Sequence, residues 1–296
     1  MGKVIEMPEH VNKQKDVSPL RPGIFDVEIT RRCNVRCRFC PRDHMENLGN
    51  MTAETFNNFL EKMPHHPNDT VFFCGLGEAL LHPELSEYMS RLRRRYPYFT
   101  VGIVTNGVLL NQKSVPFLLD THITFIMVSF NGTDAATYEY LMKGAKFEVT
   151  MANLEYTLAE IRQRKSPSKL MVTFLLSKEN IQDKDKITAF WAKKGIEVFP
   201  EFIHTRGGLV KLEGMTPIDN RPGIRNSCFV FKNHTFIAWN GDVLCCCHDI
   251  KNQFVMGNIN SDSLFTINER KKEIIETKKW PSICYNCTDQ FRLLSP

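Results

Sequence analysis

Short β-prone runs alternate with amphipathic stretches along most of this 296-residue chain. Six runs are rich in β-branched and aromatic residues, at 25–30, 70–74, 99–105, 123–129, 170–176 and 196–201. Between them, apolar residues recur at helical spacing in residues 53–63, 83–95, 112–120, 135–142, 149–164 and 183–193. Such alternation predicts a parallel sheet covered by helices, and six repeats are too few to close the usual eight-stranded barrel. The expected fold is therefore α/β, with an open, partial (β/α)6 barrel.

Conspicuous segments stand where four of the predicted strands end. They are residues 30–41, 75–78, 105–107 and 129–132, and they are rich in cysteine, glycine and asparagine. In parallel α/β folds the chemistry takes place at the C-terminal ends of the strands, on the loops that follow. We therefore expect these four segments to contribute to one site.

The pattern changes after the sixth predicted strand. Residues 207–225 contain Gly, Pro and Thr and are typical of a linker. Asn240-Gly241 lies between two β-prone runs and predicts a hairpin, because both residues tolerate positive φ. A helix is expected near residues 263–277. The expected division is an N-terminal arm (1–22), a barrel (23–208), a linker (209–227) and a small C-terminal domain of one β-hairpin and one helix (228–296).

Composition and charge argue against several classes of protein. No apolar run approaches the roughly 20 residues that span a bilayer, and residues 1–15 are polar, unlike a secretory signal. We therefore expect a cytoplasmic protein without a membrane partner. The net charge of +5 comes with no long basic block, so no nucleic-acid partner is predicted. The 10 cysteines then indicate metal binding or catalysis, because cytosolic thiols are kept reduced.

Three of these cysteines, Cys33, Cys37 and Cys40, lie within eight residues of one another in the first strand-end segment. A loop can bring three such thiolates onto one iron–sulfur cube, which normally takes four. One iron would then lack a protein ligand and could bind a small molecule, as an open zinc position binds water. Two alternatives stay open here, namely a structural zinc site and a redox Cys-x-x-Cys formed by Cys37 and Cys40.

The spacing of these cysteines, with three and then two residues between them, resembles the signature of the radical S-adenosylmethionine superfamily. The resemblance implies a 4Fe–4S cluster whose open iron chelates S-adenosyl-L-methionine and whose electron releases a 5′-deoxyadenosyl radical. Phe39 would lie beside the bound molecule. The resemblance also implies cofactor contacts from the other strand ends, at Gly75, Gly77, Glu78, Asn106, Ser129 and Asn131. The segment Gly-Leu-Gly-Glu-Ala departs from the family's usual Gly-Gly-Glu-Pro.

A second cysteine group lies in the C-terminal part. The spacing from Cys228 through Gly241 to Cys246, followed by a distant Cys-x-x-Cys, resembles the shortened SPASM (Twitch) auxiliary-cluster domain of some members of that superfamily. It implies one auxiliary 4Fe–4S cluster held by Cys228, Cys246, Cys284 and Cys287. Four thiolates in this arrangement also suit a structural zinc ion. Cys246 is chosen from the run 245–247 by family spacing alone.

The resemblance leaves several reactions open. Dehydrogenases of sugars or aminocyclitols are most similar in length and layout; in them the substrate radical gives its electron to the auxiliary cluster, and Arg206 would bind a polar substrate oxygen. An epimerase would instead return a hydrogen atom from a cysteine, for which Cys247 and Cys245 are candidates. Two further hypotheses are a peptide maturase and, from a different class of protein, a zinc-binding interaction protein. The enzyme hypotheses imply a small-molecule substrate and an electron donor of the flavodoxin or ferredoxin type.

Overall fold

The computed structural model describes residues 22–45, 47–64, 66–219, 221, 223 and 228–292. Its strands are β1 (Ile24–Val27), β2 (Arg36–Cys37), β3 (Thr70–Phe73), β4 (Thr100–Thr105), β5 (Phe125–Ser129), β6 (Met142–Lys143), β7 (Lys169–Leu176), β8 (Glu197–Phe202), β9 (His234–Ile237), β10 (Asp242–Leu244) and β11 (Val255–Asn258). Its α-helices are α1 (Ala53–Lys62), α2 (Leu85–Arg95), α3 (Ser114–Asp120), α4 (Ala135–Leu141), α5 (Phe147–Gln163), α6 (Lys184–Ala192), α7 (Phe229–Asn233), α8 (Leu264–Thr277) and α9 (Ser282–Tyr285). The predicted arm lies outside the described residues except for residue 22, and the predicted linker lies partly outside them.

Within the described residues, nine strands form one sheet in the order β11-β10-β9-β1-β3-β4-β5-β7-β8. The six strands from β1 to β8 along this order pair in parallel. Each of the six coincides with a predicted strand, and helices follow the first five of them. The prediction of an α/β fold built on a partial barrel is therefore confirmed.

The helices begin at capping residues and pack through one apolar face. The Thr52 hydroxyl, just before α1, accepts a hydrogen bond from the Thr55 N–H at 3.1 Å, while Phe56 and Phe59 are buried. Losing such a cap costs about 1 kcal/mol, whereas burying one phenylalanine contributes about 1.5–3 kcal/mol. Packing therefore decides where α1 lies. Across the described part of the chain, no helix combines the length and the hydropathy needed to span a bilayer.

An aromatic cluster fixes β3 and the loop that follows it. The rings of Phe56 and Tyr88 stack with centroids 4.3 Å apart, and Phe73 of β3 lies 6.3 Å from Phe56. The Tyr88 hydroxyl donates to the Met51 carbonyl at 3.1 Å, so its polar end is satisfied although the ring is buried. The end of β3 is thus held by rigid packing on one side of the sheet.

The C-terminal hairpin continues the barrel sheet. β9 and β10 pair antiparallel across the predicted Asn240-Gly241 turn, where Gly241 has a φ of +89°. β9 also pairs in parallel with β1, with Val27 opposite Ile237. The barrel and the hairpin therefore share one sheet, a relationship that the sequence analysis did not predict. The helix expected near residues 263–277 is confirmed as α8.

The run of cysteines at 245–247 lies beyond the end of a strand. β10 ends at Leu244, after a register shift between Val243 and Leu244 in its pairing with β11. Residues 245–248 form bends and turns. The three cysteines therefore do not lie on an extended strand, in which neighbouring side chains would alternate between the two faces.

Candidate functional site

The loop that carries the first cysteine group is fastened to the barrel at several points. Strand β2, which ends at Cys37, pairs antiparallel with β6. The backbone N–H of Arg38 donates to the Leu141 carbonyl at 2.9 Å, and its guanidinium lies 3.9 Å from the centre of the Tyr140 ring. The Cys40 N–H donates to the Cys37 carbonyl at 3.0 Å. These contacts fix the course of the chain between the cysteines.

The three thiols of this group are half-buried and influence one another. Burial raises the pKa of Cys33 and of Cys37, and the charges of Glu78 and Cys40 raise both further. Such thiols ionise readily only when a metal cation compensates their charge. Three sulfur donors on one loop therefore fit an iron–sulfur cluster with three protein ligands.

The glycine-containing loop after β3 approaches β1 and the cysteine loop closely. Gly75 has a φ of +150° and lies against the side chain of Glu28. Gly77 lies so near the Thr30 carbonyl oxygen that a Cβ atom at this position would overlap it. Glycine is therefore required at residue 77 by close approach of the two backbones.

The Glu78 carboxylate is buried and joins two strand ends. Its Oε1 accepts hydrogen bonds from the Thr105 hydroxyl at 2.7 Å and the Leu80 N–H at 3.1 Å. Its Oε2 accepts one from the Asn106 N–H at 2.7 Å. Burial raises the pKa of Glu78, and these hydrogen bonds oppose the rise. A carboxylate has about four acceptor positions, so one remains for a hydrogen-bond donor on a ligand.

Asn106 follows β4 and extends toward the cysteine loop. Its Nδ2 donates to Asn34 Oδ1 at 2.8 Å and lies 3.8 Å from the Cys33 sulfur. Its Oδ1 accepts a hydrogen bond from the Val108 N–H at 3.0 Å. The side chain thus connects the third predicted strand end to the first cysteine.

The other residues predicted to contact the cofactor differ in their burial and in their hydrogen bonds within the protein. Asn131 is buried; its Oδ1 accepts from the Leu175 N–H at 2.8 Å, and its Nδ2 lies 3.8 Å from the Met142 sulfur. These contacts tie the end of β5 to β7. Ser129 and Phe39 are half-buried and keep part of their surface accessible.

A small cavity lies in the C-terminal part of the chain. Four cysteines line it, together with His248, Asp289 and apolar side chains: Cys228, Cys246, Cys284 and Cys287. These are the four cysteines of the predicted auxiliary group. Four sulfur donors around one cavity fit an iron–sulfur cluster, and by donor type they also fit zinc.

The thiols of the auxiliary group have raised pKa values. Burial raises the pKa of Cys228 to about 11 and that of Cys287 to about 12, and the negative charge of Asp289 adds to both effects. Two sulfurs already accept backbone hydrogen bonds at 3.4 Å, Cys246 from the His248 N–H and Cys287 from the Asp289 N–H. Hydrogen bonds to ligand sulfurs of this kind tune a bound cluster.

Among the described residues, the other two cysteines of the run 245–247 do not line this cavity. Cys245 is 1% exposed and belongs to the hydrophobic core. Cys247 is half-buried and packs against a small apolar cluster of Phe236, Ala238 and Leu244. The two thiols therefore differ as candidate hydrogen donors, since Cys247 keeps some surface and Cys245 has almost none.

Two histidines and an aspartate form a cluster at the edge of the cavity that the sequence analysis did not single out. His248 Nε2 lies 2.7 Å from Asp289 Oδ2, and His204 Nε2 lies 3.8 Å from the same oxygen. Burial alone would raise the pKa of Asp289, but the hydrogen bond and charge of His248, the charge of His204 and a hydrogen bond from the Phe291 N–H together outweigh it, and the pKa lies below its usual range. One signal was present in the sequence, because His248 and Asp289 each stand two residues after a predicted ligand.

Arg206 lies in a tight turn between β8 and the auxiliary part. It has a φ of +46°, and Gly207 and Gly208 follow with φ of +67° and +87°. Gly207 packs against Ile283 of α9, where a Cβ atom would clash. The Arg206 Nη1 donates to the Cys247 carbonyl at 3.4 Å. A left-handed arginine is a strained residue, and such strain concentrates at functional sites.

Glu201 lies near the end of β8 and has a perturbed carboxylate. Burial and the charge of Asp289 raise its pKa to about 7, and Arg206 opposes the rise. The residue keeps some exposed surface. A carboxylate with this pKa can take up or release a proton near neutral pH. No sequence signal marks this residue, because a single glutamate in a β-prone run forms no motif.

Comparison with protein families matches both parts of the chain. The radical SAM superfamily matches residues 27–190, and the SPASM iron–sulfur cluster-binding domain matches residues 228–288. The first match contains the cysteine loop, and the second contains all four cysteines that line the auxiliary cavity. These matches imply a 4Fe–4S cluster with S-adenosyl-L-methionine in the barrel and an auxiliary iron–sulfur cluster in the C-terminal part.

Curated relatives are similar over part of the chain. The tungsten-containing aldehyde ferredoxin oxidoreductase cofactor-modifying protein of Pyrococcus furiosus is 26% identical over 177 residues, which cover 58% of this chain and 48% of that protein. The AdoMet-dependent heme synthase of Methanosarcina barkeri is 26% identical over 172 residues, which cover 56% and 46%. The chain thus spans about half the length of these curated relatives.

Solved structures share the fold over nearly the whole chain. BtrN in complex with AdoMet and 2-DOIA has a TM-score of 0.62 and 19% identity, over 92% of this chain and 95% of that one. anSMEcpe with bound AdoMet has a TM-score of 0.66 and 15% identity, over 90% and 89%. Streptococcus suis SuiB bound to its precursor peptide SuiA has a TM-score of 0.65 and 14% identity, over 91% and 70%. On the family match to more than half of its length, this chain belongs to the radical S-adenosylmethionine superfamily, with a SPASM iron–sulfur domain in its C-terminal part.

Proposed function

We propose that this chain oxidises a polar small molecule of the sugar or aminocyclitol type by two electrons, with the auxiliary cluster as electron acceptor. The observation that carries the proposal is the place of Arg206, whose guanidinium reaches from the turn after β8 to the Cys247 carbonyl, beside the auxiliary group. A guanidinium there can donate hydrogen bonds to substrate hydroxyl oxygens. The likeness in fold to BtrN, which holds AdoMet and 2-DOIA, supports this layout.

In this proposal the two cysteine groups hold the two clusters. The ligands of the first cluster are Cys33, Cys37 and Cys40, and those of the auxiliary cluster come from Cys228, Cys246, Cys284 and Cys287. When bound, the clusters supply the electron that cleaves S-adenosylmethionine and accept the electron that the substrate gives up. The protein binds and orients the reactants. Glu78, with one acceptor position free, orients the amino group of the cofactor, and Asn106 and Ser129 border the same site.

Glu201 handles the proton in this scheme. Converting an alcohol carbon to a carbonyl removes one hydrogen atom, one proton and one electron from the substrate. The bound cofactor would supply the acceptor for the hydrogen atom, and the Glu201 carboxylate, with a pKa of about 7, would take the proton. Arg206 lies near Glu201 and opposes the rise of its pKa, so a substrate oxygen held by the guanidinium would stand near the base.

Inversion of a stereocentre is the second candidate function, and Cys247 is the observation that favours it. Its half-buried thiol could return a hydrogen atom to a substrate radical, whereas Cys245 is 1% exposed and is a poor donor. The substitution Cys247→Ala separates the two functions, because it stops inversion and leaves oxidation intact. Peptides are a further substrate class for the same assay, given the likeness in fold to SuiB.

The test is turnover by the reconstituted enzyme in heavy water. The protein is purified anaerobically, loaded with iron and sulfide, reduced, and incubated with S-adenosylmethionine and a panel of sugars, aminocyclitols and short peptides. We expect one 5′-deoxyadenosine for each carbonyl formed, and no deuterium in recovered substrate. Deuterium at an inverted carbon would instead show that the reaction is epimerisation and not oxidation. Stoichiometric zinc with no 5′-deoxyadenosine would overturn both functions.

We further propose an acidic electron donor of the flavodoxin or ferredoxin type. The net charge of +5 favours association with a negatively charged partner. The rate of 5′-deoxyadenosine formation with flavodoxin as reductant should then fall as ionic strength rises, because salt screens attraction between surfaces. A rate that is insensitive to salt would count against such a donor.

A further inference from the structure

His248 has an unusual hydrogen-bonding state inside the auxiliary cavity. It is 4% exposed and lines the cavity together with the four cysteines of the auxiliary group. Its Nε2 lies 2.7 Å from Asp289 Oδ2. Its Nδ1 is buried and has no hydrogen-bond partner among the residues that the structure describes. An ionised carboxylate can only accept a hydrogen bond, so in the neutral tautomer that fits this contact Nε2 carries the proton and Nδ1 presents a lone pair.

A buried nitrogen without a partner is costly, and native proteins rarely leave one. An imidazole that gives one N–H to a carboxylate and keeps its other nitrogen free is the arrangement of metal-ligating histidines. The His248–Asp289 pair is also tied to two sulfur donors, because the backbone N–H groups of these residues donate to Cys246 and Cys287 at 3.4 Å. Both residues of the pair therefore line the cavity and contact one of its cysteine sulfurs.

We propose that His248 binds the auxiliary cluster directly through Nδ1, as a nitrogen ligand to one iron, and that Asp289 orients the imidazole. The cavity offers five donors, four sulfurs and one nitrogen, to a cluster with four corners. One of the four cysteines is then free. A neutral imidazole in place of an anionic thiolate makes a cluster easier to reduce, as in Rieske centres. The inference depends on the auxiliary cluster and not on the substrate proposed above.

His204 provides a matched comparison, because it lies beside the same aspartate as His248. Its Nε2 lies 3.8 Å from the Asp289 oxygen that His248 contacts, and the two imidazole rings meet edge to face with centroids 4.3 Å apart. Within the described part of the chain, His204 is not among the residues that line the cavity. Two neighbouring histidines therefore lie beside one carboxylate, and His248 is the one that lines the cavity.

Pulsed EPR of the reduced auxiliary cluster tests the proposal. A chain with Cys33, Cys37 and Cys40 replaced by alanine carries the auxiliary cluster alone, and it is reconstituted with iron and sulfide after growth on ¹⁴N- or ¹⁵N-histidine. We expect a strong hyperfine coupling from a directly bound nitrogen that changes with the histidine isotope. The coupling should persist in His204→Gln and disappear in His248→Gln. The reduction midpoint of His248→Gln should also become more negative, because the free cysteine takes the vacated corner.

Two results would overturn the assignment. One is a reduced cluster without any isotope-sensitive nitrogen coupling, and the other is a coupling that His248→Gln leaves unchanged. If His248→Gln does not fold, the comparison of histidine isotopes still decides, because it requires no substitution at residue 248. The variant Asp289→Asn adds a check on orientation, and we expect it to weaken the coupling while iron content is maintained.

Discussion

The Glu28 carboxylate and the Arg31 guanidinium form a buried, multiply hydrogen-bonded ion pair where the barrel meets the C-terminal hairpin. Three N···O distances join them, at 2.9, 3.1 and 3.2 Å, and the side chains are 0% and 3% exposed. Arg31 also donates to Asn252 Oδ1 at 3.1 Å, and Glu28 accepts from the Trp239 N–H at 3.4 Å. One ion pair thus connects the chain after β1 to two segments of the auxiliary part.

Removing one partner of this pair should destabilise the whole protein. Arg31→Leu leaves the Glu28 carboxylate buried without its counter-charge, so we expect the free energy of unfolding to fall by about 3–5 kcal/mol. Arg94→Ala is the control; it removes a pair with Glu87 whose side chains are 68% and 57% exposed, and such pairs contribute about 0–1 kcal/mol. Denaturant unfolding measures both. Equal losses in the two variants would contradict the role given to the buried pair.

Gly77→Ala should separate the glycine loop from the cysteine loop. The added methyl group would overlap the Thr30 carbonyl, so we expect loss of S-adenosylmethionine binding, with iron content at the first site also reduced. Gly23→Ala is the matched control, since its Cβ would meet Asp69 Oδ1 at an ordinary 3.6 Å. Equilibrium binding of the cofactor and iron analysis give the readout. Normal cofactor affinity in Gly77→Ala would show that the close approach of Gly77 to the Thr30 carbonyl is not needed for cofactor binding.

The rate of substrate oxidation should depend on the ionisation of Glu201. Its pKa is raised to about 7, so the basic form accumulates above that pH and the rate should rise through this range. Glu201→Gln should lower the rate on the order of 10²- to 10⁴-fold and abolish the rise. Arg206→Leu should move the midpoint to higher pH, because Arg206 opposes the upward shift. The exposed Glu197 on the same strand is the control position. A pH dependence of the rate that is unchanged in Glu201→Gln would show that Glu201 takes no part in the mechanism.

The buried Lys271 should make the auxiliary cluster easier to reduce. Its Nζ donates to the His234 carbonyl at 2.6 Å and lies 5.3 Å from the centre of the Phe231 ring. Burial lowers its pKa to about 8, and the charges of Cys245, Cys246 and Cys228 oppose this, so the ammonium is still protonated at pH 7. Lys271→Met removes that cation, and we expect a more negative reduction midpoint. The control is Lys272→Met, since the Lys272 side chain is 41% exposed on the same helix; this variant should leave the midpoint unchanged. Equal midpoints in the unmodified chain and in both variants would refute the effect.

The sequence predicted the repeating part of the fold because each strand and helix has its own periodic signal. It did not predict the parallel pairing of β1 with β9, which joins residues more than 200 positions apart, from Val27 to Ile237. Local periodicity contains no information on such pairing. The register shift between Val243 and Leu244 in the pairing of β10 with β11 has no sequence signal either.

The same distinction holds for the candidate site. The cysteine spacings are motifs, and the structure gathers each group as the spacings suggest. Glu201, His248 and Asp289 belong to no motif; their importance comes from burial and from distances across the fold, such as the 2.7 Å between His248 Nε2 and Asp289 Oδ2. Single residues of this kind become visible only when the elements that carry them are packed together.

The central claim is that Cys33, Cys37 and Cys40 hold a cluster that cleaves S-adenosylmethionine. The most direct test is the yield of 5′-deoxyadenosine per chain after anaerobic reconstitution and reduction, measured with the iron content. We predict nucleoside release with about eight irons in the unmodified chain, and no release with about four irons in Cys37→Ala. Cys74→Ala, a cysteine outside both groups whose thiol donates to Asp26 at 3.5 Å, should retain release. No 5′-deoxyadenosine from the unmodified, reconstituted chain, or a tetrahedral zinc ion at the three cysteines, would contradict the claim.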